Sequence, residues 1–288
     1  MSDLSVIIIN YNTKKTTEEL IDSILDLSIA LRYEIVVVDN SSFESEKIDN
    51  RFGSKKNIKI VFTKNNGFGA ACNEGAKVAT GKKLLFINSD IVFEGDVFST
   101  CVSYMNSNTD IGILGCKLVL KNGELDHGCK RGFPTPLASF CYYLKLDKIF
   151  RGSKKCGAYK LSYLSDEEIN EVDAVSGAFL MIKKNLFDEI GGFDETFFMY
   201  GEDLDLCFRV KQQGMKIVYF PKAVVTHLKG QSGLNTKSKV VLYHFYNAMI
   251  IFYDKHYKPR YNWFLTRIIH FTIWSKYLFD LLVLRLKR

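Results

Sequence analysis

The 288 residues contain seven cysteines, at positions 72, 101, 116, 129, 141, 156 and 207, yet no Cys-x-x-Cys pair, and their number is odd. Neither a disulfide framework nor a structural zinc site is indicated, and a reducing cytosol is the expected setting. Nor is a leader expected. Met1-Ser2-Asp3-Leu4 runs straight into Val6-Ile7-Ile8-Ile9 without a basic segment or cleavage site, so the start reads as a first strand rather than a signal peptide. The apolar C-terminal part has no charge-free run of about 18 residues, because Arg267, Lys276, Asp280 and Arg285 interrupt it, and no spanning helix is expected. What is present is 47% hydrophobic and 25% charged, enough for a sizeable core in one main domain with an appendage. The formal charge of +7 is moderate and points to no nucleic-acid partner. Its suggestive part is local. Arg260, Arg267, Lys276, Arg285, Lys287 and Arg288 are interleaved with Tyr, Phe, Trp, Ile and Leu, which suits helices lying on an anionic bilayer, or else packed on the core or on a second copy in a homodimer.

Leu4 to Ile9 and Glu34 to Val38 are short, continuous, β-branched-rich runs, the pattern of strands buried on both faces. Between them, Thr17 to Leu31 carries Leu20, Ile21, Ile24, Leu25 and Leu27 at helical spacing, giving a βαβ unit. A third strand, Ile58 to Phe62, leads through Asn65-Asn66-Gly67-Phe68-Gly69 into a small-residue helix, Ala70 to Ala79, and a fourth strand spans Lys83 to Ile87. The first hundred residues are therefore α/β and doubly wound, an architecture that binds ligands beyond the carboxyl ends of its strands. There stand Asn10-Tyr11-Asn12, Asp39-Asn40-Ser41-Ser42, the Asn66-Gly67 turn and Asn88-Ser89-Asp90, all expected on one edge. An Asp at a strand end can accept from a base N–H or a ribose hydroxyl, Tyr11 can pack on a ring, and glycine lets a phosphate approach closely. A nucleotide fits that edge, with Asp90 able to take a divalent cation under a diphosphate.

Farther on, Ile111 to Leu120, Ala178 to Ile182 and Lys216 to Phe220 read as strands, a short helix is expected near Leu186, and Asp126 to Asp166 reads as long loops. Between them lies Phe197-Phe198-Met199-Tyr200-Gly201-Glu202-Asp203-Leu204-Asp205-Leu206-Cys207, three acids in the first turn of a helix that Gly214 stops. Acids there complement the helix dipole or cap it. The flanking aromatics and Met199 favour a second use, since desolvation raises a carboxylate pKa toward that of a general base. On a helix 202 and 205 share a face, while 203 points about 100° away from 202, so the three cannot serve one hydroxyl. His227 alone reads equally as a satisfied core or surface residue.

Ile8-Ile9-Asn10-Tyr11-Asn12, Val37-Val38-Asp39-Asn40-Ser41-Ser42, Asn66-Gly67-Phe68-Gly69-Ala70-Ala71-Cys72-Asn73, Asn88-Ser89-Asp90, Gly191-Gly192-Phe193-Asp194-Glu195 and Gly201-Glu202-Asp203-Leu204-Asp205-Leu206 recur in the order of a known family. Over about residues 4 to 232 the chain resembles a family-2 inverting glycosyltransferase of the GT-A fold, more narrowly its bacterial rhamnosyltransferase-like branch. The resemblance implies a Rossmann-like, doubly wound, mostly parallel sheet: a GT-A domain at 1–235, with its nucleotide-binding half at about 1–120 and its acceptor half at about 121–235; beyond it, 236–288 is the helical segment read above as membrane-associating or else packed on the core or a second copy. It implies that Asn10, Tyr11, Asn12, Asp39, Asn66, Gly67, Asn73, Ser89 and Asp90 bind the donor, and that Asp90 holds Mg or Mn. Position 88 is Asn where the family often has Asp, which makes His227 attractive as a further ligand. Asp203 would be the base of a single displacement, Glu202 would orient the acceptor, and Asp205 would cap or brace the helix. The implied donor is dTDP-L-rhamnose, with UDP-linked hexoses open, and the implied acceptor is a glycan or a lipid-linked one at the inner face of the cell membrane.

Two other readings compete. Gly67-x-Gly69-x-x-Cys72 partly mimics a dinucleotide fingerprint, but it follows the third strand rather than the first and ends in Cys where Gly or Ala belongs. An inactive nucleotide-sugar-binding scaffold is the other, and the joint presence of Asp90 and Asp203 speaks against it.

Overall fold

The structure, a computed structural model, describes residues 2–49, 51–150, 152–229 and 238–286. Its first half consists of β1 (Leu4–Asn10), α1 (Lys14–Asp26), β2 (Tyr33–Asp39), β3 (Ile58–Phe62), α2 (Phe68–Val78) and β4 (Lys83–Ile87). β1 pairs in parallel with β2 and β4, and β2 with β3. Every residue of β1 is buried, as strands covered on both faces require. α1 buries Thr17, Leu20, Ile21 and Ile24, one stripe at helical spacing. It ends at Asp26, five residues before the apolar pattern does, because Leu27 turns into extended backbone while Leu27, Ile29 and Leu31 still pack on the core.

The second half continues with β5 (Ile91–Val92), α3 (Val97–Ser107), β6 (Ile111–Leu120), α4 (Pro136–Tyr143), α5 (Leu146–Ile149), β7 (Asn170–Glu171), β8 (Phe179–Lys183), α6 (Lys184–Glu189), α7 (Glu202–Gln212), β9 (Lys216–His227), α8 (Lys239–His256) and α9 (Trp263–Leu286). One sheet runs β3-β2-β1-β4-β8-β6-β9-β5, with β7 on β9. β8 enters antiparallel between β4 and β6, and β6 returns parallel to β9. The parallel half thus meets a mixed half at the β4–β8 seam, and the loops that follow β1, β2 and β4 open on the same edge.

Two expectations need correcting. β9 does not stop at Phe220 but runs on to His227: opposite the consecutive Cys116 and Lys117 of β6 its paired residues jump from Phe220 to Val224, and this bulge absorbs Pro221, which cannot donate to a ladder. Nor is 126–166 all loop. It contains a 3₁₀ turn, His127–Cys129, and α4, whose start is fixed by Pro136 and by the Thr135 hydroxyl accepting from the Ala138 N–H.

α8 and α9 form a hairpin held by Tyr253 Oη to Thr266 Oγ1 at 3.1 Å and His270 Nε2 to Asp254 Oδ1 at 2.8 Å. Phe264, Ile268, Phe271, Leu278 and Leu282 of α9 are exposed together. Among the described residues no helix is long and apolar enough to cross a membrane. The expected domain boundary at 235 and the last two cations, Lys287 and Arg288, lie outside the described residues.

Glu34 ties the amino end of the parallel half together. It is 5% exposed and accepts from Ser5 Oγ at 2.6 Å, Thr80 N and Oγ1 at 2.5 and 2.8 Å, and Lys59 Nζ at 2.8 Å. Burial pushes its pKa up, but these donors outweigh burial and bring it down to about 2. A depressed carboxylate stabilises the fold above its unfolded value near 4.5 and loses that contribution as the pH falls through about 2. Glu34→Gln should therefore cost up to about 3 kcal/mol in urea unfolding at pH 7, and the gap from the parent should shrink below pH 4.5. A gap that stays constant down to pH 3 would contradict this account.

Candidate active site

Beyond the carboxyl ends of β1, β2 and β4 lies a cavity of about 1210 Å³, and Tyr11, Gly67, Ser89, Asp90, Glu202, Asp203 and His227 all line it. Residues spread over more than 200 positions of the chain are thus brought to one space. Other expected donor residues are placed differently. Asn10 is fully buried and gives its amide to Ser41 Oγ and Glu46 O, while its Oδ1 accepts from Thr13 and Thr17. Asp39, 2% exposed, accepts from the Ser41 and Ile48 N–H groups at 3.0 and 2.7 Å. Asn12 accepts from the Ser42 N–H, and Asn73 clamps both backbone groups of Phe193. Asn10, Asp39 and Asn73 spend their polar atoms within the protein, Asn12 its Oδ1, and Asn66 is exposed outside the cavity. They frame the site rather than face into it.

What the Asp39 loop presents instead is Asn40. It lines the cavity, is 3% exposed, and its Oδ1 has no partner among the described residues. A buried, unsatisfied acceptor at a cavity wall is costly unless something donates to it.

Asp90 and His227 meet where β4 and β9 end: His227 Nε2 lies 3.2 Å from Asp90 Oδ1, and Nδ1 lies 2.9 Å from Asp126 Oδ2. Lys229 closes the chain on Asp126 Oδ1 at 3.0 Å. Burial pulls the His227 pKa down, but hydrogen bonds to Asp126 and Asp90 outweigh it and raise it to about 9. Asp126 is held well below the usual carboxylate range: burial opposes this, but the bonds from His227, the Gly128 N–H and Lys229 prevail. Asp126 was hidden in the sequence because the stretch around it carries no periodic pattern. Among the described residues no three His, Cys, Asp or Glu side chains are gathered to hold a metal ion by themselves.

The acids open α7 as expected. Tyr200 and Gly201 both take left-handed backbone, φ 66° and 80°, so that the chain can turn sharply into the helix. The segment before them is pinned from two sides. The Phe68 N–H donates to Phe198 O at 3.0 Å, and the Phe198 ring stacks on His244 of α8. Gly67, at φ 110°, permits the first contact, since a Cβ there would lie 2.4 Å from Phe198 O.

Three environments separate the three acids. Glu202 is buried and its Oε2 has no partner among the described residues; burial first, and the Asp203 charge second, push its pKa up to about 8. Asp203 Oδ2 accepts from Arg131 Nη2 at 2.5 Å and the Gly177 N–H at 3.1 Å. Asp205 has no exposed surface and takes Arg209 Nε, His256 Nε2 and Lys255 Nζ, each at 2.7 Å. Despite burial, those partners bring its pKa down to about 2.

Residues 5–166 match the family Glycosyl transferase family 2, and residues 158–287 match Glycosyl transferase family group 2. The chain belongs to glycosyl transferase family 2. Among relatives of this family 2 glycosyltransferase is the rhamnosyltransferase WbbL of Escherichia coli (strain K12), 28% identical over 193 residues, 67% of this chain and 66% of that one. Another is the N-acetylglucosaminyl-diphospho-decaprenol L-rhamnosyltransferase of Mycobacterium tuberculosis (strain ATCC 25618 / H37Rv), 35% identical over 99 residues, 34% of this chain and 32% of that one. The matched parts thus span less than two thirds of these relatives' own lengths. Among solved structures, the mannosyltransferase PcManGT from Pyrobaculum calidifontis with GDP-Man and Mn2+ superposes with a TM-score of 0.58 at 17% identity, covering 88% of this chain and 64% of that one. S. aureus TarS 1–349 with UDP-GlcNAc gives 0.58 at 20%, covering 86% and 65%. These likenesses agree with a GT-A-type, Rossmann-like fold.

Asp205 offers a test of how this family 2 site is held. Asp205→Ala would leave Arg209 and Lys255 without their counter-charge and His256 Nε2 without its partner, and breaking a buried pair in this way costs about 3–5 kcal/mol. Chemical denaturation should show that loss; one below about 1 kcal/mol would mean that the cluster is not what holds α7.

Proposed function

We propose that this glycosyltransferase moves a sugar, L-rhamnose from dTDP-L-rhamnose, onto a lipid-linked acceptor in cell-surface polysaccharide synthesis, by a single inverting displacement. The observation that carries the reading is the composition of one cavity. Its polar end joins Tyr11, Asn40, Gly67, Ser89 and Asp90, Asp203 stands on its wall, and Phe140, Met249, Leu265, Ile268 and Ile273 of α4, α8 and α9 make an apolar side. Such a space suits a nucleotide at one end and an amphipathic acceptor at the other.

In this scheme Tyr11 packs on the base, Asn40 Oδ1 accepts from the base or ribose, and Gly67 admits the phosphates. Asp39, Asn10, Asn12 and Asn73 act by framing these loops. Asp90 and His227 fit a divalent cation, Mg or Mn: a carboxylate and an imidazole converge at the cavity wall, and with so few side-chain donors, diphosphate oxygens and water would fill the rest. When bound, the cation neutralises the leaving diphosphate. His227 would have to give up its proton to serve as a ligand. Asp203 takes the acceptor hydroxyl proton as the oxygen attacks the anomeric carbon, and the nucleoside diphosphate departs from the opposite face. Glu202, uncharged in its buried site, lines the acceptor path and orients the incoming group.

Asp203→Asn keeps the shape and removes the proton acceptor. Turnover should fall on the order of a hundredfold or more while donor affinity, read by calorimetry with Mn present, survives. The donor is decided on the same preparation by assaying nucleotide release from dTDP-rhamnose, UDP-glucose and UDP-galactose. Transfer from a UDP-hexose alone would replace the donor assignment, and neither transfer nor hydrolysis with any of them would leave a binding scaffold.

The helices beyond residue 235 form the second unit of this reading. The exposed face of α9, with the exposed Arg267 and Arg285 beside Phe264, Phe271 and Leu282, is proposed to lie on an anionic bilayer at the inner face of the cell membrane. Trp263→Ala with Phe271→Glu removes two side chains that are 76% and 75% exposed, so the fold should be unaffected. Sedimentation with phosphatidylglycerol vesicles should drop severalfold. Unchanged sedimentation, with a change of oligomeric state instead, would assign this face to a second copy of the chain.

A further inference from the structure

Arg131 belongs to none of the sequence motifs, yet its guanidinium reaches the acid pair across 72 residues. We infer that Arg131 is a positioning residue that makes Asp203, and not the adjacent Glu202, the ionised carboxylate of the pair, and that aims a single Asp203 oxygen at the acceptor. The inference rests on the reading of Asp203 as the base.

The aim follows from counting lone pairs. An ionised carboxylate offers about four acceptor positions, two per oxygen. Oδ2 is filled by Arg131 Nη2 and the Gly177 N–H, whereas Oδ1 accepts only the Leu204 N–H at 2.7 Å among the described residues. One position on Oδ1 is left for a proton, and with three donors in place the carboxylate cannot rotate to offer Oδ2 instead. The guanidinium itself is anchored. Nη2 also donates to Val175 O at 2.9 Å, and the Arg131 backbone exchanges hydrogen bonds with Ala174 in a bridge, with Arg131 N to Ala174 O at 2.8 Å and Ala174 N to Arg131 O at 2.9 Å.

The choice of ionised partner follows from the surroundings. Two neighbouring carboxyls in a water-poor site cannot both ionise cheaply, and the one beside a cation keeps the charge. Among the described residues, Cys207 of α7, Tyr200 before it, Cys72 of α2 and Arg131 of the 126–166 stretch are the titratable groups that face the pair, and Tyr159 faces Arg131. The Cys72 and Cys207 thiols are pushed up by burial, so Arg131 supplies the positive charge in contact with the acids. Its Nε is buried and has no partner among the described residues, which leaves a further donor in the same cavity wall.

The test compares the pH dependence of kcat for the full-length parent, Arg131→Met and Arg131→Lys, with donor KM measured alongside. For Arg131→Met the acidic limb should move up by at least about one pH unit and kcat at pH 7 should fall about tenfold or more, with donor KM within about twofold of the parent. Arg131→Lys keeps the charge without the fork, so its limb should stay in place while kcat falls. A folded Arg131→Met whose limb does not move, or whose loss lies wholly in donor KM, overturns the inference. Should Arg131→Met fail to fold, Arg131→Lys decides, and a displaced limb or an unchanged kcat overturns it. Asp203→Asn separates the two levels of the argument: if it turns over normally the base assignment itself is wrong, whereas an inactive Asp203→Asn beside an unmoved limb in Arg131→Met sinks only the role given to Arg131.

Discussion

A carboxylate with no exposed surface, Asp205, is shared by Arg209, Lys255 and His256 from two helices, and the position of the acidic turn depends on it. Arg209 reaches Asp205 from its own helix and also donates to Ile190 O and Gly192 O, so the Gly191-Gly192 turn is tied to the same centre. Lys255 and His256 bring α8 to it, and Lys255 continues to Asp194. A buried charge is tolerated only when its partners are complete and well placed. That demand fixes α7, the turn before it and the C-terminal helices relative to one another, and these are the elements that present Glu202 and Asp203 to the cavity.

The same helical turn shows how environment, rather than residue type, distributes chemical roles. Glu202, Asp203 and Asp205 are similar acids within four positions, yet one is buried with an unpartnered oxygen, one is held by an arginine and a backbone N–H, and one by Arg209, Lys255 and His256. Burial pushes the Glu202 pKa up to about 8 while at Asp205, despite burial, the partners bring it down to about 2, and sites that run acid–base chemistry are built on differences of this kind. The His227 chain in the same cavity follows the same logic with signs reversed, a cationic ring held between two carboxylates.

Much of this was legible in the sequence wherever the signal was local. The short apolar runs located β1, β2, β3 and β4 nearly to the residue, and the motifs after them placed Tyr11, Gly67, Ser89 and Asp90 on one edge. The periodic acid-then-apolar pattern located α7. What composition does not show is which polar atoms already have partners. Asn10, expected at the donor, is met by Ser41, Glu46, Thr13 and Thr17, Asp39 by the Ser41 and Ile48 N–H groups, and Asn73 by the backbone of Phe193. Pro221 looks like a strand end because the bulge opposite Cys116 and Lys117 belongs to pairing rather than to composition. Asp126 and Arg131 sit in a stretch without periodicity, and their importance arises only when β9 and α7 fold against it.

The hydrogen bond from the Phe68 N–H to Phe198 O, with Gly67 pressed against the same carbonyl, joins the first turn of α2 directly to the loop that introduces the acids. The front and rear halves of the chain are therefore not interchangeable cassettes. A chimera that borrows its rear half from another protein must reproduce that carbonyl to within a few tenths of an ångström, or the glycine turn and the acid turn will no longer seat together. Compatibility between halves is thus written in main-chain shape at one point of contact, where side-chain identity would give no warning of a mismatch.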